Sequence, residues 1–159
     1  MLRLLPAMRA WRIAHSMPPG FYRTLARVSR APPPQGLDRE VLGVHLPSPV
    51  GVGAGLDKDG RLAPLVESWG AGFHVVGSVL PRPHEGVEPK ILVRLPNGGT
   101  INRLGLPSPG VERVLENLAG AGLGIPLAFN IAGFTPRDYG LVYERLPGYA
   151  AWVEVNISC

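Results

Sequence analysis

The 159 residues contain a single cysteine, Cys159. A lone thiol excludes an intrachain disulfide and a cysteine-based zinc cluster, and it fits a reducing compartment. No run approaches the roughly 18 apolar residues that a membrane-spanning helix needs. The histidines, His15, His45, His74 and His84, show no metal-ligand spacing. His74 alternates with apolar neighbours and reads as a core or rim residue. Acidic residues are missing from the first 35 positions, which carry Arg3, Arg9, Arg12, Arg23, Arg27 and Arg30 and so sum to +6. The remainder sets ten basic against twelve acidic side chains, or −2, which leaves +4 overall. A basic arm on a nearly neutral body points to an anionic surface as partner. No nucleic-acid reading motif accompanies the charge.

What is present describes a globular chain. Apolar residues make up 45% and charged residues 18%, outside the disordered range. Glycine (21) and proline (18) together approach a quarter of the chain, which argues for many tight turns and against a plain helical bundle. The arm, residues 1–33, reads as two helical pieces. Leu2, Leu4, Leu5, Met8, Trp11, Ile13 and Ala14 accompany the first three arginines. Phe21, Tyr22, Leu25, Ala26 and Val28 accompany the second three, after a break at Pro18-Pro19-Gly20. Apolar and arginine positions partly segregate at helical spacing, the pattern of a helix lying in a membrane interface. A helix pair packed on its own domain has the same pattern. Arg9 and Arg12 interrupt the apolar stretch a signal peptide would require. A stiff Ala31-Pro-Pro-Pro34 linker follows.

The body, residues 34–159, alternates strands with helices. Strands are expected at 41–44, 50–54 (buried), 72–77, 126–131 and 151–155. Helices are expected at 59–69, 109–118 and 136–146, with a small hairpin at 90–95 and 100–102 around Asn97-Gly98-Gly99. That order implies an α/β fold with a parallel sheet, either doubly wound or a (β/α)8 TIM barrel. A barrel needs roughly 250 residues, so the body has room for about half of one.

Either architecture places ligands at the carboxyl ends of the strands. There stand Gly53 to Gly60, Gly77 to Pro83, Ile101 to Gly105, Asn130, and Asn156 to Cys159. Three are asparagines, which both donate and accept hydrogen bonds and suit the edge of a planar heterocycle. Neighbouring signals fall short of other chemistries. The glycine run has Asp57-Lys58 where a dinucleotide fingerprint has its last glycine. Asp57-Lys58-Asp59-Gly60 follows a calcium loop for four residues only. Asn156-Ile157-Ser158 matches a glycosylation triplet without any sign of secretion.

Five segments in this order and spacing resemble dihydroorotate dehydrogenase. They are Ser48-Pro49-Val50-Gly51-Val52-Gly53-Ala54-Gly55-Leu56-Asp57-Lys58-Asp59-Gly60, Gly77-Ser78-Val79-Leu80-Pro81-Arg82-Pro83, Ile101-Asn102-Arg103-Leu104-Gly105, Phe129-Asn130-Ile131 and Val155-Asn156-Ile157-Ser158-Cys159. The resemblance implies a (β/α)8 barrel carrying FMN, with the helical arm in front. It implies FMN contacts at Ala54, Gly55, Lys58, Ser78, Asn130 and Asn156. It implies dihydroorotate or orotate contacts at Lys58, Asn102, Arg103, Leu104, Gly105, Leu106 and Asn156. Cys159 falls on the catalytic base, and no metal is implied. Departures are Leu106 in place of an aromatic, and Ala132-Gly133-Phe134 in place of Gly-Lys-Asn. A cysteine base resembles the soluble class; the basic arm resembles the membrane-associated class that passes electrons to quinone. The arm thus implies a cytoplasmic protein held peripherally on the inner membrane face. The family motif runs on past the base into four further βα units. The resulting expectation is the N-terminal half of the barrel, truncated or split, inactive alone and lacking a C-terminal half. Two other readings stand beside it: a flavin barrel of the dihydropyrimidine dehydrogenase type, and a non-catalytic membrane-surface remnant.

Overall fold

The structure, a computed structural model, describes residues 7–158. Leu2, Arg3, Leu4, Leu5 and Cys159, and the side chains of Met8, Trp11 and Ala14, lie outside what is described. The arm forms α1 (Ala7–Ser16) and α2 (Pro19–Val28), separated at Met17-Pro18. The body continues with β1 (Arg39–Val41), β2 (Val44–Leu46), α3 (Ala63–Ser68) and β3 (His74–Val79). After these come β4 (Ile91–Arg94), β5 (Thr100–Arg103), α4 (Val111–Leu118), β6 (Leu127–Ile131), α5 (Pro136–Tyr143) and β7 (Val153–Val155).

The sheet that positions the site is parallel, in the order β3-β6-β7. Val52 adds a parallel bridge to His74 on the open side of β3. Strand order therefore follows chain order, without the reversal that a doubly wound sheet makes at its switch point. Leu127, Phe129 and Ile131 of β6 point to one face, where Val111, Val114 and Leu118 of α4 and Val142 of α5 bury them. The alternation of a strand sends Asn130 to the other face. On β3 the register slips between Gly77 and Val79. Val79 thereby rejoins the apolar core while Ser78 lines the cleft on the opposite face. Gly77 sits at φ +134°, and a Cβ there would collide with the Asn130 carbonyl.

The arm packs on the body. Tyr22 of α2 is 3% exposed, held with Leu62, Leu65 and Val66 around α3. The Arg61 guanidinium donates to the carbonyls of His15 (2.6 Å) and Met17 (2.9 Å), tying the α1–α2 corner to the loop before α3. The outer face of α2 leaves Phe21, Leu25 and Val28 exposed beside Arg23 and Arg27.

Several expected boundaries move. Residues 41–44 are the end of one strand, a tight Leu42-Gly43 turn at φ 51° and 78°, and the start of the next. The segment 50–54 is not a buried strand. Val50 is 71% exposed and Val52 makes only its single bridge, because no strand lies on its other side among the described residues. The helix expected over 59–69 is shortened to α3. The Asp57 carboxylate draws the N–H groups of Gly60 (2.9 Å) and Leu62 (3.1 Å) into a turn before the helix begins.

Candidate functional site

One loop carries the first part of the site, and a buried carboxylate shapes it. Asp57 is fully buried and accepts hydrogen bonds from Gly60 N, Leu62 N and His74 Nε2 (2.9 Å). Its backbone carbonyl accepts Gly77 N, and Gly55 N donates to the Gly77 carbonyl, both at 2.9 Å. These bonds lace residues 55–57 to the end of β3 and bring the loop that carries Lys58 to the cleft that Ser78 also lines. His74 is also fully buried, with Nδ1 lacking a partner. A carboxylate only accepts, so Nε2 carries the proton that His74 shares with Asp57.

An open cleft of about 490 Å³ lies over the carboxyl ends of β3, β6 and β7. Ala54, Gly55, Lys58, Ser78, Asn102, Leu104, Gly105, Leu106, Asn130 and Asn156 line it. Its size is in the range of small-molecule sites. These residues come from the loop after Val52, the β3 end, the β5 hairpin, the β6 end and the segment after β7, so five separate stretches of sequence meet in one place. Arg103 is not part of the lining. It follows Asn102 in β5, and the alternation of a strand turns its side chain to the face opposite the one on which Asn102 lines the cleft. Leu106 is buried with Leu80 and Ala132, so the position where the family pattern has an aromatic presents an aliphatic wall. Phe134 stands 5.1 Å (ring centroids) from His84 beside a second cleft, also lined by Arg82 and Arg137, outside the first.

Five polar side chains in the cleft form one hydrogen-bonded chain. Asn156 Oδ1 accepts Ser158 N and Oγ, both at 3.0 Å. Asn156 Nδ2 donates to Ser78 Oγ at 2.9 Å, and Ser78 Oγ donates to Asn130 Oδ1 at 2.5 Å. Asn130 Nδ2 donates to Glu154 Oε2 at 3.1 Å. Tyr139 on α5 fixes the Asn156 main chain from behind through its hydroxyl (2.7 Å to the carbonyl). Glu154 was not foreseen from the sequence. It lies opposite Asn130 in the β6–β7 ladder, and the available signal was the Val-Glu-Val alternation of β7, which places the glutamate on the face opposite its valines. Among the described residues no cluster of three potential metal ligands exists.

Comparisons with known proteins agree with this geometry. Residues 36–159 match the family model described as dihydroorotate dehydrogenase. The dihydroorotate dehydrogenase (quinone) of Methylobacillus flagellatus is 37% identical over 134 residues, covering 79% of this chain and 40% of that protein. The protein of the same name from Shewanella woodyi is 39% identical over 127 residues, covering 75% and 37%. The chain thus spans about two fifths of the length of the curated relatives it matches. A crystal structure of DHODH from Eimeria tenella with ferulenol superposes with a TM-score of 0.67 at 22% identity, over 87% of this chain and 43% of that one. The ligand-free form gives 0.68 at 23%, over 89% and 44%. At that identity the likeness is one of fold.

Proposed function

Since this chain belongs to the dihydroorotate dehydrogenase family, we propose that its cleft is part of an FMN-dependent site that oxidises dihydroorotate to orotate in pyrimidine (UMP) biosynthesis. The observation that carries the reading is convergence: Lys58, Ser78, Asn102, Asn130 and Asn156 line one cleft. The sequential parallel strands are then the first four of a (β/α)8 barrel. The rest of that barrel corresponds to the part of the relatives that this chain does not span.

The donor set suits FMN. Space is open where a Cβ on Gly55 would stand, so a flat ring can approach the backbone of Ala54 and Gly55. The carboxamides of Asn130 and Asn156 match carbonyls on a ring edge. Bound there, FMN supplies the redox step by accepting a hydride. Lys58 favours negative charge on its neighbours. Asn102 and the backbone of Leu104 to Leu106 hold the pyrimidine, and Asn156 reaches both rings, which fixes their relative orientation. Cys159 Sγ takes the proton from C5 of dihydroorotate; a thiol titrates nearer neutrality than a serine hydroxyl and is the stronger base candidate at pH 7.

The electron acceptor in this reading is a quinone, the word that the relatives' names carry. Phe21, Leu25 and Val28, exposed beside Arg23 and Arg27 on α2, support peripheral attachment of the arm to a membrane from the cytoplasmic side. Among the described residues no helix is long and apolar enough to cross a membrane.

Co-expression with the unmatched C-terminal segment of the Methylobacillus flagellatus relative tests the reading. The expected product holds flavin one to one and reduces a quinone when dihydroorotate is added. The 159-residue chain by itself is expected to retain no flavin, since its cleft is open beside β7, where Val155 and Ile157 are 59% and 87% exposed. Oxidation of dihydrouracil instead of dihydroorotate moves the assignment to the dihydropyrimidine dehydrogenase type. A folded paired barrel without flavin refutes it.

A further inference from the structure

The hydrogen-bonded chain across the cleft has two ends of fixed polarity. At one end the backbone N–H of Ser158 can only donate, so Asn156 must turn Oδ1 toward it and Nδ2 toward Ser78. At the other end the Glu154 carboxylate can only accept, so Asn130 must turn Nδ2 toward it and Oδ1 toward Ser78. Ser78 stands between an amide nitrogen with no lone pair to offer and an amide oxygen. Its single hydroxyl hydrogen therefore goes to Asn130. Every proton in the chain points the same way, from Ser158 to Glu154, and no member faces a like group.

We infer that Glu154 is a positioning residue that sets the polarity of the two carboxamides and thereby makes them donors toward a ligand. This rests on the cleft being the ligand site proposed above. Each asparagine spends its oxygen on the protein: Asn156 Oδ1 takes two hydrogen bonds from Ser158, and Asn130 Oδ1 takes the hydroxyl of Ser78. Each spends one amide hydrogen and keeps one, and both residues line the cleft. The floor then selects ring carbonyls, which accept, over ring N–H groups, which do not. A neutral apolar side chain at 154 would free the Asn130 amide to rotate by half a turn. Its Nδ2 would then compete with that of Asn156 for the oxygen of Ser78, and the selection would be lost.

The chain contains five asparagines, so asparagine labelling with 15N gives a readable side-chain spectrum of the full 159 residues without flavin or pyrimidine. The expected wild-type result is that the Asn130 amide protons show cross-relaxation to the Glu154 methylenes and exchange about tenfold more slowly than those of exposed Asn97. Glu154→Gln retains an acceptor oxygen and is expected to preserve both signals. Glu154→Leu keeps the volume without an acceptor and is expected to lose the protection while the β3 and β6 backbone amides stay protected. That pattern of rescue is not expected of a residue that merely fills space. Unchanged Asn130 exchange in Glu154→Leu overturns the inference, as does loss in Glu154→Gln. If Glu154→Leu does not fold, the wild-type cross-relaxation decides alone: contact of the Asn130 amide protons with Ser78 instead of Glu154 overturns it. Because no ligand is present, a paired barrel that fails to bind flavin would refute the proposed function and leave this result standing.

Discussion

Replacing Asp57 should cost far more than replacing His74, although the two side chains touch each other and are equally buried. Asp57→Ala strands the N–H groups of Gly60 and Leu62 and the Nε2 of His74. Each buried donor left unpaired costs about 1–3 kcal/mol. Three together cost roughly 3–9 kcal/mol by that figure, comparable to the entire stability of a small domain, about 5–15 kcal/mol. Asp57→Asn keeps the shape but turns an amide hydrogen toward at least one of those donors, and is expected to cost about 1–3 kcal/mol. His74→Leu removes a hydrogen bond to a carboxylate, but it also removes Nδ1, which is buried without a partner. The two effects have similar size and opposite sign, so the change should stay within about 1 kcal/mol. Urea unfolding followed by tryptophan fluorescence measures this directly, because Trp152 packs edge-on against Phe73, next to His74 (5.3 Å between centroids). His74→Leu proving as damaging as Asp57→Asn would refute the view that the carboxylate serves the loop first and the histidine second.

Three further outcomes are expected. Gly77→Ala drives a methyl into the Asn130 carbonyl at a left-handed backbone position and should destabilise by more than about 2 kcal/mol, whereas Gly148→Ala, with open space around it, should be within about 0.5 kcal/mol in urea unfolding. Tyr22→Ala removes the aromatic that covers Leu62, Leu65 and Val66 and should cost about 3 kcal/mol; pelleting of this variant with anionic phospholipid vesicles should match the wild type, because the outer face of α2 is untouched, while deleting residues 1–33 should abolish pelleting. Desolvation pushes the Asp138 carboxyl up, but hydrogen bonds from the Thr135 backbone and hydroxyl and from Phe134 N, with the Arg82 charge, outweigh it and hold the group below the ordinary carboxylate value. A folded-state value below the unfolded one means that the contribution is complete above the unfolded value and is lost as pH falls through the folded one. The first turn of α5 should therefore fray as pH falls through a range below the ordinary carboxylate one, and Asp138→Asn should remove that acid transition from amide-exchange profiles.

Much of the fold could be read from local sequence, and the places where reading failed are non-local. The β6 strand and the α4 helix were legible because a short, nearly continuous apolar run is written in Leu127-Ala128-Phe129-Asn130-Ile131 and a period of 3.6 in Val111, Val114 and Leu118. The β4–β5 hairpin was legible from Asn97-Gly98-Gly99, since its turn chemistry is local. The start of α3 was not. Asp57 shortened the helix by taking the N–H groups of Gly60 and Leu62, and the same carboxylate is bonded to His74, seventeen residues away. The same limit applies to the site. Motif spacing picked out Lys58, Ser78, Asn102, Asn130 and Asn156, which the structure gathers in one cleft, whereas Glu154 belongs to no motif and joins them only because β7 pairs beside β6 in the register that sets it opposite Asn130. Arg103 illustrates the converse: it lies inside a matching motif, yet strand alternation turns it to the face opposite Asn102, away from the cleft.

The charges of the cleft follow from the same sheet order. Lys58 enters from the loop after Val52, at one edge of the sheet, and Glu154 from β7, at the other, with the carboxamides between them. On the proposed function, that arrangement would turn the carboxylate of a planar ligand toward Lys58 and its ring carbonyls toward the amide hydrogens. The two charges act on an anion with opposite sign. At an effective dielectric of 20, a single such charge within several ångströms of a bound anion contributes on the order of 1–3 kcal/mol, or roughly 10- to 100-fold in affinity. In the paired barrel, Lys58→Met should therefore weaken orotate binding by about that factor, and Glu154→Gln, which leaves an acceptor for Asn130, should strengthen it, both read by quenching of flavin absorbance or fluorescence. Equal weakening by both substitutions would mean that Glu154 contacts the ligand itself, and that the orientation of the amides is not its contribution to the site.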